Sequence, residues 1–303
     1  MKKILIIGGN GFIGKSIIDY GINKNLIKYN INKIYIIARS KNLKKINFPY
    51  LKINYINKNI ININKLPEFD FIIYCIKNKN IKTSNIYFNK FVKILKKLPN
   101  KPKILFTSSG AVYGKNKFKR KNIENEKLNI KTINSLTGYK KKYAKEKIFI
   151  EEKIKQLGYQ NYKVSIARCY TFIGKNILRY KYAASDLIND GFYKSKIKLN
   201  TKIDVYRSYM HSDDLVKWLI VILKNSSENC PIYNVGSDKV INLKNLTKKI
   251  GKLLKKEISI KKIKSNKFDY YVPSINKAKN KLNLKISINL NDALNSTIKS
   301  LND

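Results

Sequence analysis

The seven residues Gly8-Gly9-Asn10-Gly11-Phe12-Ile13-Gly14 constrain this chain more than any other stretch. They follow the apolar run Ile4 to Ile7 and precede a helical pattern beginning near Lys15, so the order is strand, glycine turn, helix. The spacing of Gly8, Gly11 and Gly14 lets a strand turn tightly, lets a backbone approach a pyrophosphate, and lets a helix pack close to its strand. The N-terminus of that helix adds unpaired N–H groups for an anion. A glycine heptad also serves as a plain structural turn, but its position between an apolar strand and a helix is the context the phosphate motif requires. Gly8, Gly11, Phe12, Ile13 and Gly14 are therefore candidate cofactor-binding residues.

The next apolar segment, Lys33 to Ala38, reads as a second buried strand and ends in Arg39-Ser40. In dinucleotide folds an acidic residue at this strand end takes the ribose 2′-hydroxyl, whereas a cation accommodates the 2′-phosphate of NADP. Arg39 points to NADP, with NAD left open because a merely solvated arginine is the alternative. Alternation continues with strands at Leu51 to Ile56 and Phe69 to Cys75, a helix near Ser84 to Leu98 closed by Pro99, and a strand from Lys103 to Thr107. Apolar strands alternating with helices predict an α/β fold, a doubly wound parallel sheet covered on both faces. Lys115 to Asn134 is the one extended polar loop.

The chain carries 64 Lys and Arg against 19 Asp and Glu, a formal charge of +45. Such a charge ordinarily suggests a polyanionic partner. Here arginine occurs only five times, while Lys, Asn and Ile, which share A/T-rich codons, crowd every segment. Base recognition favours arginine forks, so compositional drift is the better account and no specific nucleic-acid partner is expected. Met1-Lys2-Lys3 and Ile4 to Ile7 mimic the start of a signal peptide, but the glycines cut the apolar region short. No apolar stretch is long enough to span a bilayer. Cys75, Cys169 and Cys230 are widely spaced and odd in number, which reads as buried thiols in a reducing cytoplasm and no metal site.

The strand from Lys103 runs into Ser108-Ser109-Gly110-Ala111-Val112-Tyr113-Gly114, at the sheet edge where such folds bind ligands. A helix is expected from about Tyr139 to Leu157, capped by Gly158. It carries Tyr143 and Lys147, four apart and so on one face, with Glu151 one turn further. The Tyr-x-x-x-Lys spacing recurs five times in this lysine-rich chain, at Tyr20, Tyr29, Tyr113, Tyr143 and Tyr159, and is uninformative by itself. Position singles out Tyr143 and Lys147: mid-helix, just after the serine-bearing strand end.

With these residues in place the chain resembles an extended short-chain dehydrogenase/reductase, the NAD-dependent epimerase/dehydratase family of nucleotide-sugar enzymes. Gly8 to Gly14 is similar to that family's cofactor turn, Thr107 to Gly114 to its serine strand end, and Tyr143 with Lys147 to its catalytic pair. Asn89 falls where the family has a helix Asn supporting the catalytic Lys. Arg207 to Leu215 resembles the segment whose Arg grips the substrate diphosphate, which makes Arg207 a substrate-binding candidate beside Ser109 and Tyr143. Tyr233 to Ser237 resembles the last core strand, and Tyr271 to Ser274 with Ala278 to Leu284 the C-terminal substrate lobe. Ala167 to Gly174 is similar to members among deoxysugar and surface-polysaccharide enzymes, with Thr171 where many relatives have a substrate-contacting Asn. Lone His211 reads as a packing or hydrogen-bonding residue.

The resemblance implies a Rossmann cofactor domain over 1–167 plus about 205–238, and a smaller substrate-binding lobe over about 168–204 and 239–303. It also implies a homodimer through the two long helices. Tyr143 would exchange a proton with a sugar oxygen while hydride moves at the adjacent carbon. Ser109 would hydrogen-bond that oxygen, and Lys147 would hold the cofactor ribose. A phenol ionises near pH 10, so its use near neutrality needs about 4 kcal/mol of differential stabilisation from nearby cations. Family 4,6-dehydratases place an Asp-Glu pair directly after the Ser/Thr; Gly110 and Ala111 stand there instead. Keto reduction of a nucleotide-linked sugar is the expected reaction, with 4-epimerisation on tightly bound NAD as the alternative. An inactive NADP sensor or polyanion-binding protein is the more distant one.

Overall fold

A computed structural model describes residues 1–38, 46–78, 80–177, 182–263 and 265–302. Arg39 lies outside them. In chain order the first elements are β1 (Lys2–Ile7), α1 (Phe12–Ile22), β2 (Ile31–Ile37), β3 (Ile46–Phe48), β4 (Leu51–Ile56), β5 (Phe71–Tyr74), α2 (Ile81–Leu95), β6 (Lys103–Ser109), α3 (Ile130–Asn134), α4 (Gly138–Gly158) and β7 (Val164–Cys169). There follow β8 (Phe172–Ile173), α5 (Ala183–Tyr193), β9 (Lys196–Leu199), β10 (Asp204–Arg207), β11 (Met210–His211), α6 (Ser212–Lys224) and β12 (Ile232–Val235). The last are β13 (Ile241–Asn242), α7 (Leu243–Leu254), β14 (Glu257–Ile260), β15 (Phe268–Tyr271), α8 (Asn276–Leu282) and α9 (Leu290–Asn302).

Eight strands form one sheet in the order β12-β7-β6-β5-β1-β2-β4-β3. β1 pairs in parallel with both β2 and β5, so the strand order reverses at β1. Sheets of this kind take ligands at the carboxyl ends of the strands flanking that reversal. The departure from a parallel sheet is the β3–β4 hairpin, antiparallel with Phe48 opposite Leu51 and turned by Pro49-Tyr50. Ile72, Phe106 and Ile166 of the sheet meet Phe91 of α2 and Ile150 and Ile154 of α4 in one apolar cluster. Each such side chain contributes about 1.5–3 kcal/mol on burial.

Helix starts come earlier than the apolar periodicity suggests, because the caps lie upstream of it. Gly11, extended at φ −80° and ψ 175°, precedes α1. Asn80 caps α2 by accepting a hydrogen bond from the Thr83 amide at 2.8 Å. Gly158 is not the left-handed cap expected: it is the last residue of α4, and the left-handed residue is Asn161 at φ 62°. Glycine at 158 instead admits the Glu228 carbonyl oxygen, which would lie 2.2 Å from a Cβ there.

Two compact units emerge. The first contains Met1–Gly114, Leu128–Cys169 and Val216–Tyr233, and the second Lys115–Lys127, Tyr170–Leu215 and Asn234–Asp303. The first unit is narrower than the 1–167 plus 205–238 expected. Lys115–Lys127 groups with the second unit because Asn122 exchanges backbone hydrogen bonds with Val272 and Ser274, at 3.3 and 2.8 Å. The Asn234 side chain also donates to the Asn122 carbonyl at 3.0 Å. Within the second unit β10 lies between β13 and β15.

Candidate active site

The glycine turn leaves β1 through Gly8, whose φ of +95° is a conformation L side chains rarely adopt. A Cβ on Gly8 would also meet the Cys75 carbonyl and the Ile76 nitrogen at 3.0 Å. Gly14 packs α1 onto the turn: a Cβ there would lie 2.2 Å from the Gly9 carbonyl oxygen. Gly11 is exposed, with the Gly8 carbonyl oxygen 3.8 Å from its would-be Cβ as the nearest neighbour. Neither a side-chain cap at Gly11 nor an acidic residue in the first turn offsets the positive end of the α1 dipole. This open, uncapped cradle fits the pyrophosphate of a dinucleotide.

Lys147 approaches the same place from α4. Its Nζ donates to the Ile76 carbonyl at 3.1 Å. The glycine turn and Lys147 therefore touch one two-residue segment, Cys75-Ile76, from Gly8 and from α4. Lys147 is 2% exposed. Burial pushes its ammonium below the ordinary lysine range, and Glu146 opposes that shift. Its Nζ lies 4.8 Å from the Phe106 ring centre and 5.6 Å from that of Tyr143. Tyr143 is half-buried and stacks on Tyr139, with ring centres 5.8 Å apart and planes at 16°. Lys77 sits 5.0 Å from the Tyr139 ring centre and 5.4 Å from that of Tyr143. Two ammonium groups thus attend the Tyr143 ring.

Ser109 ends β6, and its Oγ accepts a hydrogen bond from the Ala111 amide at 3.2 Å, which opens the short 3-10 turn Gly110–Tyr113. Beneath it lies a buried charge cluster that was not expected from the sequence. Arg168 of β7 grips Glu151 of α4 through Nε at 3.1 Å and Nη2 at 2.8 Å. Its Nη1 donates to the Tyr113 hydroxyl at 3.0 Å, and Ser108 donates to Glu151 as well. Arg168 and Glu151 are 3% and 0% exposed. This cluster ties the strand that ends in Ser109 to the helix that carries Tyr143 and Lys147. The available signal was Arg168, a lone charge inside an otherwise uncharged strand, with Glu151 one turn beyond Lys147.

Asn89 is exposed on α2 and does not join this constellation. Asn85, one turn earlier, has the buried face: its Oδ1 is sealed from solvent with no hydrogen-bond partner among the described residues. In the second unit Arg207 donates from Nη2 to Asp269 Oδ2 at 2.7 Å. Its Nη1 donates to the Tyr206 and Asp269 carbonyls at 2.8 and 3.0 Å, so a diphosphate would compete with an existing ion pair. Thr171 donates to the Ser208 carbonyl. His211 Nδ1 accepts from the Asp213 amide at 3.2 Å and Nε2 meets Ser296 Oγ at 2.9 Å. Both ring nitrogens are engaged, and burial pushes the His211 pKa down.

Cys75, Cys169 and Cys230 form no disulfide, and burial pushes each thiol pKa up to about 12. Among the described residues no group of three or more His, Cys, Asp or Glu could hold a metal ion. No described helix is long and apolar enough to cross a membrane.

The chain is similar to known proteins over most of its length. Over 296 residues the chain is 27% identical to the bifunctional polymyxin resistance protein ArnA of Wigglesworthia glossinidia brevipalpis, covering 90% of this chain and 43% of that protein. The chain spans 43% and 62% of the lengths of two curated relatives it matches. It superposes on dTDP-glucose 4,6-dehydratase from Bacillus anthracis, solved in complex with NAD, with a TM-score of 0.76 at 17% identity, covering 100% of this chain and 97% of that one. UDP-glucose 4-epimerase from Thermotoga maritima, solved with UDP-glucose, gives 0.74 at 16% identity, covering 99% and 98%. The family model matches residues 4–236, from the strand before the glycine turn to Gly236 beyond the last strand of the large sheet, and the chain belongs to the NAD dependent epimerase/dehydratase family.

Proposed function

We propose that this chain is an NAD(P)-dependent nucleotide-sugar oxidoreductase in which Tyr143 exchanges a proton with a sugar oxygen. The observation that carries this reading is the shared contact at Cys75-Ile76, where Lys147 and the glycine cradle meet. Gly8, Gly11, Phe12, Ile13 and Gly14 hold the pyrophosphate, and Lys147 the nicotinamide ribose. The bound nicotinamide supplies or receives the hydride. Tyr143 holds the proton at its phenolic oxygen, with Lys147 beside its ring. Ser109 orients the reacting oxygen by a hydrogen bond. Arg207, released from Asp269, binds the substrate diphosphate.

Two reactions fit these residues. Gly110 and Ala111 supply no carboxyl group beside Ser109, which disfavours elimination of water by the 4,6-dehydratase route. Arg39 favours NADP and with it keto reduction. The 4-epimerase reading takes its support from the superposed epimerase, and it differs in what happens to the cofactor. A reductase consumes NADPH in step with product, whereas an epimerase copurifies with NAD and shows no net consumption. The test is to denature the purified protein, identify any released nucleotide, and follow absorbance at the reduced nicotinamide with UDP-, dTDP-, CDP- and GDP-linked keto sugars. Stoichiometric NADPH loss is expected, and Arg39→Ala is expected to raise KM for NADPH at least about tenfold, about 1.4 kcal/mol, with little change for NADH. Bound NAD with no net consumption would move the assignment to epimerisation.

The same reading gives a homodimer through α2 and α4. Ile81, Ile130, Ile133, Ile148 and Phe149, with Lys145, line a largely apolar groove of about 280 Å³ on this helical face. Ile86, on α2, is 52% exposed. Sedimentation equilibrium is expected to give twice the 35.3 kDa chain mass, and Ile148→Asp to halve it.

A further inference from the structure

Glu146 is a buried carboxylate with no part in the mechanism above. It is 2% exposed, on the face of α4 that also buries Lys147. Oε1 accepts a hydrogen bond from Ser84 of α2 at 2.8 Å, and Ser84 in turn accepts from Asn78 at 3.1 Å. Oε2 lies 3.8 Å from Lys147 Nζ and has no hydrogen-bond partner among the described residues. A buried carboxylate oxygen left without a hydrogen bond is costly unless a charge compensates it. Among the described residues the charge within reach is Lys147.

We propose that Glu146 is the fixed counter-charge of Lys147, keeping the ammonium protonated in a site sealed from water. This positioning role rests on the reading of Lys147 as a site residue. Lys147 gives its one hydrogen bond within the described contacts to the neutral Ile76 carbonyl, so that bond offsets little of the cost of burying a cation. Around it stand Cys75 and Lys77 from the β5–α2 side, Cys169 from β7, the Phe106 ring from β6 and the Tyr143 ring from α4. Both thiols are held protonated by burial, and Lys77 adds a like charge. Among the described residues Glu146 is therefore the anion of this shell. Tyr74 of β5 also feels the Glu146 charge, which pushes its phenol further up in pKa after burial.

The sign follows directly. An anion near a buried lysine raises the lysine pKa, so removing it lowers the pH at which Lys147 loses its proton. Glu146→Gln keeps an oxygen for Ser84 and removes the charge, whereas Ser84→Ala keeps the charge and removes the hydrogen bond. The experiment is NMR titration of lysines labelled at Cε, with the Lys147 signal assigned by Lys147→Met. In Glu146→Gln the Lys147 midpoint is expected to fall by about one to three pH units, a 10- to 1,000-fold loss of proton affinity. Ser84→Ala should leave it within about half a unit. The alkaline limb of the kcat profile should move down with it only if Lys147 also serves catalysis, so a shifted titration without a shifted profile indicts the catalytic reading alone. An unmoved titration in Glu146→Gln overturns the counter-charge. Should that variant not fold, Lys147→Met reports the pair from the other side: infrared spectra are expected to show a new protonated carboxyl band at neutral pH, and its absence overturns the proposal.

Discussion

Tyr143→Phe is expected to lower kcat by about 10²- to 10⁴-fold while leaving cofactor affinity within a factor of two. The size follows from the share of a rate enhancement that a positioned acid or base ordinarily supplies. The selectivity follows from the geometry. Loss of the hydroxyl leaves the ring on Tyr139, 5.8 Å away and nearly parallel, and leaves both Lys77 and Lys147 beside it. Neither the glycine turn nor the Lys147 contact with Ile76 depends on the phenol oxygen. Calorimetric titration of the nicotinamide cofactor should therefore be unchanged as steady-state turnover collapses. Unchanged turnover would remove Tyr143 from the chemistry and leave the fold without an assigned acid or base. A parallel loss of cofactor binding would show instead that the phenol oxygen itself helps to hold the cofactor.

The parts of this site that could be read from the chain are those in which local spacing and chemistry coincide. The glycine turn requires glycines at 8 and 14 for reasons a sequence exposes, a left-handed φ and a helix packed against a carbonyl. Tyr143 and Lys147 were singled out by their place in the middle of a helix just after the serine-bearing strand end, since the four-residue spacing alone recurs elsewhere in the chain. Asn89 illustrates the opposite case. In a chain this rich in Asn and Lys, composition could not choose between Asn85 and Asn89, and the choice depends on which face of α2 meets the sheet. Glu146 is one charge among many on a lysine-rich helix. Its burial is decided by α2, whose Ser84 lies 62 positions away. Lys115 to Asn134 was likewise read as one polar loop, and the grouping of Lys115–Lys127 with the second unit depends on backbone bonds to residues near 272 that no local pattern announces.

Arg168→Met is expected to produce the largest loss of stability of any single substitution considered for this chain, about 3–5 kcal/mol, because it leaves Glu151 buried without its cation. Domains of this kind are stable by only about 5–15 kcal/mol, so the variant should show a large drop in urea midpoint or fail to accumulate in folded form. Methionine restores most of the side-chain volume, which separates the electrostatic cost from a cavity. Lysine is no substitute, since one ammonium cannot reproduce the paired contacts to both Glu151 oxygens together with the bond to the Tyr113 hydroxyl. The double variant Arg168→Met with Glu151→Leu removes both charges and is expected to recover at least half of the loss. It should not recover activity in proportion, because Ser108 then has no carboxylate to hold and the strand end bearing Ser109 is no longer tied to the helix bearing Tyr143. A single variant within about 1 kcal/mol of the wild type would mean that Glu151 finds solvent or a proton at little cost, and that α4 is fixed against the sheet by its apolar stripe alone.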